Sequence, residues 1–382
     1  MSAAQTTSIG VLTTIMTAAV LTTPPLSAQF VTPTNGMVIS SNTVFCPGTY
    51  NLPSGFSIAA SNVTVQGDNT EIIGNDTGNG LTVNNCANVV VLNLTIRHYY
   101  IGMRFRTCDA PRIEDCVVSD TYNDCKTQPC VFLDIFDDPE PPGNSYGHAV
   151  WLRYCNSATV RGNIVTDQQN GISLYDLTDA LIEYNDASRN TGWGINLYNV
   201  DSSTIQFNVA DDCIRVGSGH LGGDAAALLI VMGSSSNVIT DNSFVRGGDG
   251  LFLAGYRVQQ LPCSDNYFAR NDCSASPNNG FEATFSAGNV FEDNISDYCN
   301  YGYWLGYSWL NEVRNNQINH CYTACVAIEH GNNNTIVDNR MEGNYRAIWL
   351  WTDPDEDLVQ VFQQLKDSHT YTITGNTISD GY

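Results

Sequence analysis

Asp249 directly precedes one copy of a recurring string of this chain, Glu282 stands two residues into the next copy, and Glu329 with His330 four and five residues into a copy two further on. A carboxyl kept away from water holds its proton to higher pH and can serve as a general acid, with a second carboxylate as base or nucleophile. Cleavage of a glycosidic bond needs that pairing. Asp249 and Glu282 lie one repeat apart. Glu282 and Glu329 lie two apart, about 9.6 Å along a stack of strands before any lateral offset, which is long even for an inverting pair.

A second constellation gathers Arg104, Arg106 and Arg153 with Tyr146, His148 and Trp151. Guanidinium groups can neutralise a uronate carboxylate and acidify the neighbouring C–H, while Tyr or His removes the proton. The competing role for these arginines is charge balance against an acidic loop holding Asp134, Asp137, Asp138 and Glu140. That loop is a candidate calcium ligand set without EF-hand spacing. His220 and Asp224 supply only a pair of ligands around Gly222 and Gly223, and no Met/His cluster of copper type occurs, so no metal ligands are assigned.

The elements that must hold these groups follow from a repeat. Small-apolar-x-apolar strings start at Gly55, Gly80, Gly102, Ala149, Gly171, Gly194, Ala227, Gly250, Gly280, Gly302, Cys325 and Ala347, most often 22 or 23 residues apart. Fourteen residues after many starts stands an asparagine, among them Asn163, Asn185, Asn208, Asn294, Asn316 and Asn339; Asn242 comes one residue late, and Asn271 and Asn376 fit once insertions are allowed for. Short β-branched runs with period two precede them. A coil of this length carries three short strands and cannot bury its own inward side chains, so coils must stack, with the asparagine amides laddering between turns. The fold class predicted is all-β, a single-stranded right-handed parallel β-helix of about twelve coils with loop insertions. Residues 1–28 read as an export signal or an N-terminal cap, 29–54 as a lead-in, and 55–382 as the helix.

Alternation places the second and fourth residues after each start on the outside. That outward set includes Arg104, Arg106, Trp151, Arg153, Tyr175, Tyr198, Glu282, Trp304, Glu329, Trp349 and Trp351. Aromatic rings stack on sugar faces while charged and amide groups bond hydroxyls, so a polysaccharide is the expected ligand of this face. Insertions at 116–147, 213–223, 255–262 and 352–369 would either wall it into a groove or cover its apolar members.

The pattern resembles the large family of parallel β-helix proteins that includes pectate-lyase-like enzymes, mannuronan epimerases and NosD-like periplasmic proteins, from about Gly55 onward. The strings Gly280-Phe281-Glu282-Ala283-Thr284-Phe285 and Ala327-Ile328-Glu329-His330-Gly331 look like those of its carbohydrate-active members. The resemblance implies a role for Glu282, Glu329 and His330. The epimerases' Asp-Pro-His signature is absent, the nearest string being Asp137-Asp138-Pro139-Glu140.

A formal charge of −23, with 39 acidic and 16 basic residues, repels nucleic acid and anionic membranes. Thirteen cysteines favour an oxidising compartment and a secreted or extracellular protein. Cys86, Cys108 and Cys155 share one column, and Cys213, Cys299 and Cys321 another; each column reads as disulfides or as buried free thiols. Cys125 with Cys130, and Cys263 with Cys273, read as loop staples. The expectation is a carbohydrate-active enzyme that cleaves a polysaccharide, glycoside hydrolase ahead of polysaccharide lyase and without an assigned cofactor. The competing class is a non-catalytic surface or filament subunit or a glycan-binding adhesin, with self-association through the terminal coils unless a helix around Asp355 to Lys366 folds back to cap them.

Overall fold

The computed structural model describes residues 29–126, 130, 133–137, 146–217, 220–222, 224–353, 362 and 365–379. The reading of 1–28, the acidic residues Asp138 and Glu140 and most of the expected helix from Asp355 lie outside these residues.

Two long parallel sheets run along a β-helix, one of thirteen strands and one of sixteen. The third side of each coil narrows to one-residue bridges, in a column from Ile164 through Asp186, Val209 and Ser243 to Arg340. The thirteen-stranded sheet extends from Val38–Ile39 to Ile348–Trp351, one strand more than the twelve recurring starts because Val38–Ile39 pairs with Phe56–Ile58. Register follows the repeat: Trp151 pairs with Arg104 and Ser173, Glu282 with Phe252 and Trp304, and Glu329 with Trp351.

Inward side chains alternate with outward ones and fill a continuous core that includes Ile172, Leu174, Ile195 and Leu197. Phe268 stacks on Phe291 at 4.7 Å and Phe281 on Tyr303 at 4.6 Å, so equivalent rings in successive coils share a column. The asparagine ladder forms as expected. From Asn163 through Asn185, Asn208, Asn242, Asn271, Asn294, Asn316 and Asn339 to Asn376, each Nδ2 donates to the next Oδ1 at 2.9–3.2 Å. A second ladder, not read from the sequence, links Asn237, Asn266, Asn289 and Asn311 at 3.0–3.1 Å. Both satisfy buried turn backbone that water cannot reach.

Cys125 and Cys130 form a disulfide. The pairing of Cys263 with Cys273 is not made: both are free and buried, Cys263 against the carbonyls of Ile230 and Ala254 and Cys273 in the core beside Cys299. The two cysteine columns are likewise buried free thiols, acting as small apolar core residues.

Candidate functional site

All the outward residues named from the sequence stand on the thirteen-stranded sheet, but three stretches of that face have different fates. In the middle the insertions lie flat on it. Leu133, Ile135 and Tyr146 form a buried cluster with Trp193, Leu229, Val231 and Phe252. The covering segment is pinned by a buried ion pair, Arg215 Nη1 to Asp124 Oδ2 at 2.8 Å, which joins two insertions across 91 residues. A continuous groove along the whole face is therefore not formed; the apolar centre is satellite core. Beyond it, Ile135, Phe136, Phe252, Tyr256, Val258 and Phe285 line a cavity of about 350 Å³.

Towards the N-terminal coils, Trp151 and Tyr175 are only 1 % and 2 % exposed and offer no ring face to a sugar. Arg104 lies over the Trp151 ring at 4.7 Å, Arg153 bonds Asp176 at 2.8 Å, and Tyr198 packs on Tyr175 at 5.5 Å. Arg104 and Arg106, partly exposed, line a polar cavity with Asn84, Asn85 and Thr107. Beneath them His148 Nδ1 meets Ser173 Oγ at 2.8 Å, and Asn196 donates to Tyr175 Oη at 3.1 Å. Burial pushes the His148 imidazole down to about 3, so it is neutral, and its Nε2, Trp151 Nε1 and Asn196 Oδ1 have no hydrogen-bond partner.

Towards the C-terminal coils the face opens. Asp249, 2 % exposed, starts its strand and accepts the Asn279 backbone N–H at 2.9 Å. Glu282 leans back along the neighbouring strand so that Asn279 Nδ2 donates to its Oε2 at 2.6 Å. One asparagine thus bridges the two carboxyls, and its own Oδ1 is left without a partner. Burial, opposed in part by the Asn279 backbone N–H and reinforced by Asp224, pushes Asp249 up to about 7. Burial and then the charges of Asp249 and Asp224 push Glu282 well above the usual carboxylate range. Two carboxyls held this close in low dielectric cannot both ionise, so a proton remains in the cluster at neutral pH. Asp224, partly exposed, directly follows the insertion at 213–223; the sequence offered it only as a ligand partner of His220, with no periodic signal linking it to Asp249 and Glu282.

Beside Glu282 in register stands Trp304, the first ring of an aromatic platform. Trp304 meets Trp351 at 5.5 Å and Tyr301 at 5.1 Å, Trp351 stacks on Trp349 at 4.4 Å, and Arg346 covers Trp349 at 4.5 Å. All five side chains are partly exposed.

Glu329 and His330 do not join the Asp249–Glu282 pair. Glu329, 8 % exposed, accepts the Tyr307 hydroxyl at 3.0 Å and is pushed up to about 7 by burial and by Asp353. His330 stacks on Tyr307 at 5.5 Å, with Nδ1 3.1 Å from the Leu365 carbonyl and Nε2 3.2 Å from Asp353 Oδ1. Asp353, Tyr307 and Asn279 were not singled out from the sequence. Asn279 could have been, since it stands directly before the Gly280 start.

Fold and coil register define a right-handed parallel β-helix protein, and the model described as right handed beta helix region matches residues 223–359. The chain belongs to the family described as periplasmic copper-binding protein (NosD), whose model matches residues 35–248. No curated protein sequence matches it. Among solved structures it is similar to a point mutant of the periplasmic alginate epimerase AlgG, with TM-score 0.60, 10 % identity, and coverage of 87 % of this chain and 79 % of that one. DFA-IIIase from Arthrobacter chlorophenolicus A6 gives 0.52 and 12 %, over 78 % and 84 %. The A-module of Azotobacter vinelandii mannuronan C-5 epimerase AlgE6 gives 0.50 and 12 %, over 89 % and 91 %. At such identities the likeness is one of fold.

Among the described residues, the one place where three His, Cys, Asp or Glu ligand atoms converge is Glu329, His330 and Asp353, outside the span matched by that family. Within residues 35–248 the free cysteines apart from Cys46 are buried in the core, and no such group forms among the described residues. The residues of that span do not fit a copper centre.

Proposed function

We propose that the protein is an exported carbohydrate-active enzyme that binds a polysaccharide on the Trp304, Trp349 and Trp351 platform and hydrolyses it at Glu282. The observation that carries this reading is a buried carboxyl pair bridged by Asn279 and standing in register with an open aromatic surface. Glu282, partly exposed and proton-rich, donates to the glycosidic oxygen as the bond from that oxygen to the anomeric carbon breaks. Water adds to the anomeric carbon and passes its proton to Asp224. Asp249, too deeply buried to touch substrate, is a positioning residue: its charge and its hold on Asn279 keep Glu282 protonated and aimed. Three β-helix neighbours whose names describe action on or complexes with saccharides, and a family described as periplasmic, support the substrate class and the exported location.

The test is incubation with neutral and uronate polysaccharides, reading reducing ends and the absorbance of unsaturated uronates. Reducing ends alone are expected. Both signals together would move the chemistry to lysis, with the partly exposed Arg104 and Arg106 of the polar cavity as the groups that would hold a uronate carboxylate. Silence across the panel would leave a non-catalytic, glycan-binding or structural protein. Glu282→Gln is expected to lower turnover by about 10²–10⁴-fold with binding retained; retained activity removes Glu282 from the mechanism.

A further inference from the structure

We propose that Glu329, His330 and Asp353 form a binding site for one divalent transition ion of the zinc type. The inference uses none of Asp224, Asp249 or Glu282 and stands whether or not the chain hydrolyses sugars.

Three side chains of the ligand types zinc takes present one atom each within 4.8 Å of one another. With metal–ligand bonds of about 2.0–2.2 Å, two ligands of a tetrahedral zinc lie about 3.4 Å apart. His330 Nε2 and Asp353 Oδ1 are 3.2 Å apart, close to that edge. The outer shell is also built. The Leu365 carbonyl lies 3.1 Å from His330 Nδ1, so the ring proton sits there and the lone pair of Nε2 faces the carboxylates. Such a lone pair repels a carboxylate oxygen unless a cation or a proton lies between them. The Tyr307 hydroxyl donates to Glu329 Oε1 at 3.0 Å and fixes that carboxylate, while its ring stacks on the His330 imidazole. The backbone N–H of Asp353, 3.2 Å from Nε2, is a long contact that an ion would replace.

Two adjacent coils supply the ligands. Glu329 ends one strand of the face, His330 takes the left-handed turn after it with φ +51°, and Asp353 follows the next strand by two residues. Ligands drawn from a sheet and the turns above it are held rigidly, as a site that must keep its geometry without the ion requires. One imidazole with two carboxylates selects a borderline ion over calcium, which takes six to eight oxygens. Three protein ligands leave a coordination position for water or a ligand oxygen beside Trp351, the register partner of Glu329.

The test is titration of chelator-treated full-length protein with zinc chloride by calorimetry, with bound zinc counted by mass spectrometry after gel filtration. One zinc per chain is expected, weakened at least tenfold in Asp353→Asn and lost in His330→Ala. His330 is buried and its variant can misfold, so the decisive variant is Asp353→Asn, whose side chain is 43 % exposed and whose fold is checked by circular dichroism. No retained zinc, equal retention by wild type and Asp353→Asn, or equal affinity for calcium would each overturn the proposal.

Discussion

The proton held among Asp249, Glu282 and Asp224 sets how this surface responds to pH. Asp249 is raised to about 7 chiefly by burial, against about 3.9 for an unfolded aspartate. The folded chain therefore binds more protons than the unfolded chain between those values. The stabilising contribution is complete below about pH 4 and is lost as pH rises through 7; Glu282 shifts in the same direction. The thermal midpoint of wild type minus that of Asp249→Asn should fall between pH 5 and pH 8, and a flat difference would mean that Asp249 is ionised throughout. Turnover should decline towards alkaline pH, as Glu282, held well above the usual carboxylate range by burial and by the charges of Asp249 and Asp224, loses the proton that the leaving oxygen needs.

Elements here are short, and what makes them add up is the ladder between coils. Asn271 donates to Asn294 at 3.1 Å and to the Ile239 carbonyl at 2.9 Å, and its Oδ1 accepts from the backbone and side chain of Asn242. Removing it leaves several of these groups buried and unpaired, each worth about 1–3 kcal/mol. Asn271→Ala should lower the thermal midpoint by several degrees and deprotect amides in the two adjoining coils first, because each coil touches only its neighbours. Hydrogen exchange resolves this; deprotection spread evenly along the chain would contradict a nearest-neighbour stack.

At the scale of the molecule, one sheet face carries an N-terminal arginine patch, a covered centre and a C-terminal platform. Only the last combines open rings with a proton-rich carboxyl cluster. Trp304→Ala should weaken polysaccharide binding by roughly tenfold, since a ring stacked on a sugar contributes about 1 kcal/mol or more. Trp151→Phe should leave binding unchanged because that ring is already enclosed. Fluorescence titration distinguishes the two. Among the described residues no helix is long and apolar enough to cross a membrane.

The repeat was legible in the sequence because coil length is a covalent property. Twenty-two or twenty-three residues per turn dictate which side chains share a column, so register, the Asn163–Asn376 ladder and the outward placement of Glu282 and Trp304 all follow from counting. Exposure does not follow from counting. Whether an outward Trp meets solvent or a neighbour depends on where the aperiodic insertions settle, and they settle over Trp193 and Phe252 rather than over Trp304. The second asparagine ladder was equally open to counting, since Asn237, Asn266, Asn289 and Asn311 each stand five residues before Asn242, Asn271, Asn294 and Asn316. Asp224 and Asp353 reach their carboxylate partners only through folded segments outside the repeat. Spacing along the chain determined the scaffold, whereas the meeting of carboxyls in low dielectric was decided by tertiary contacts that no local period encodes.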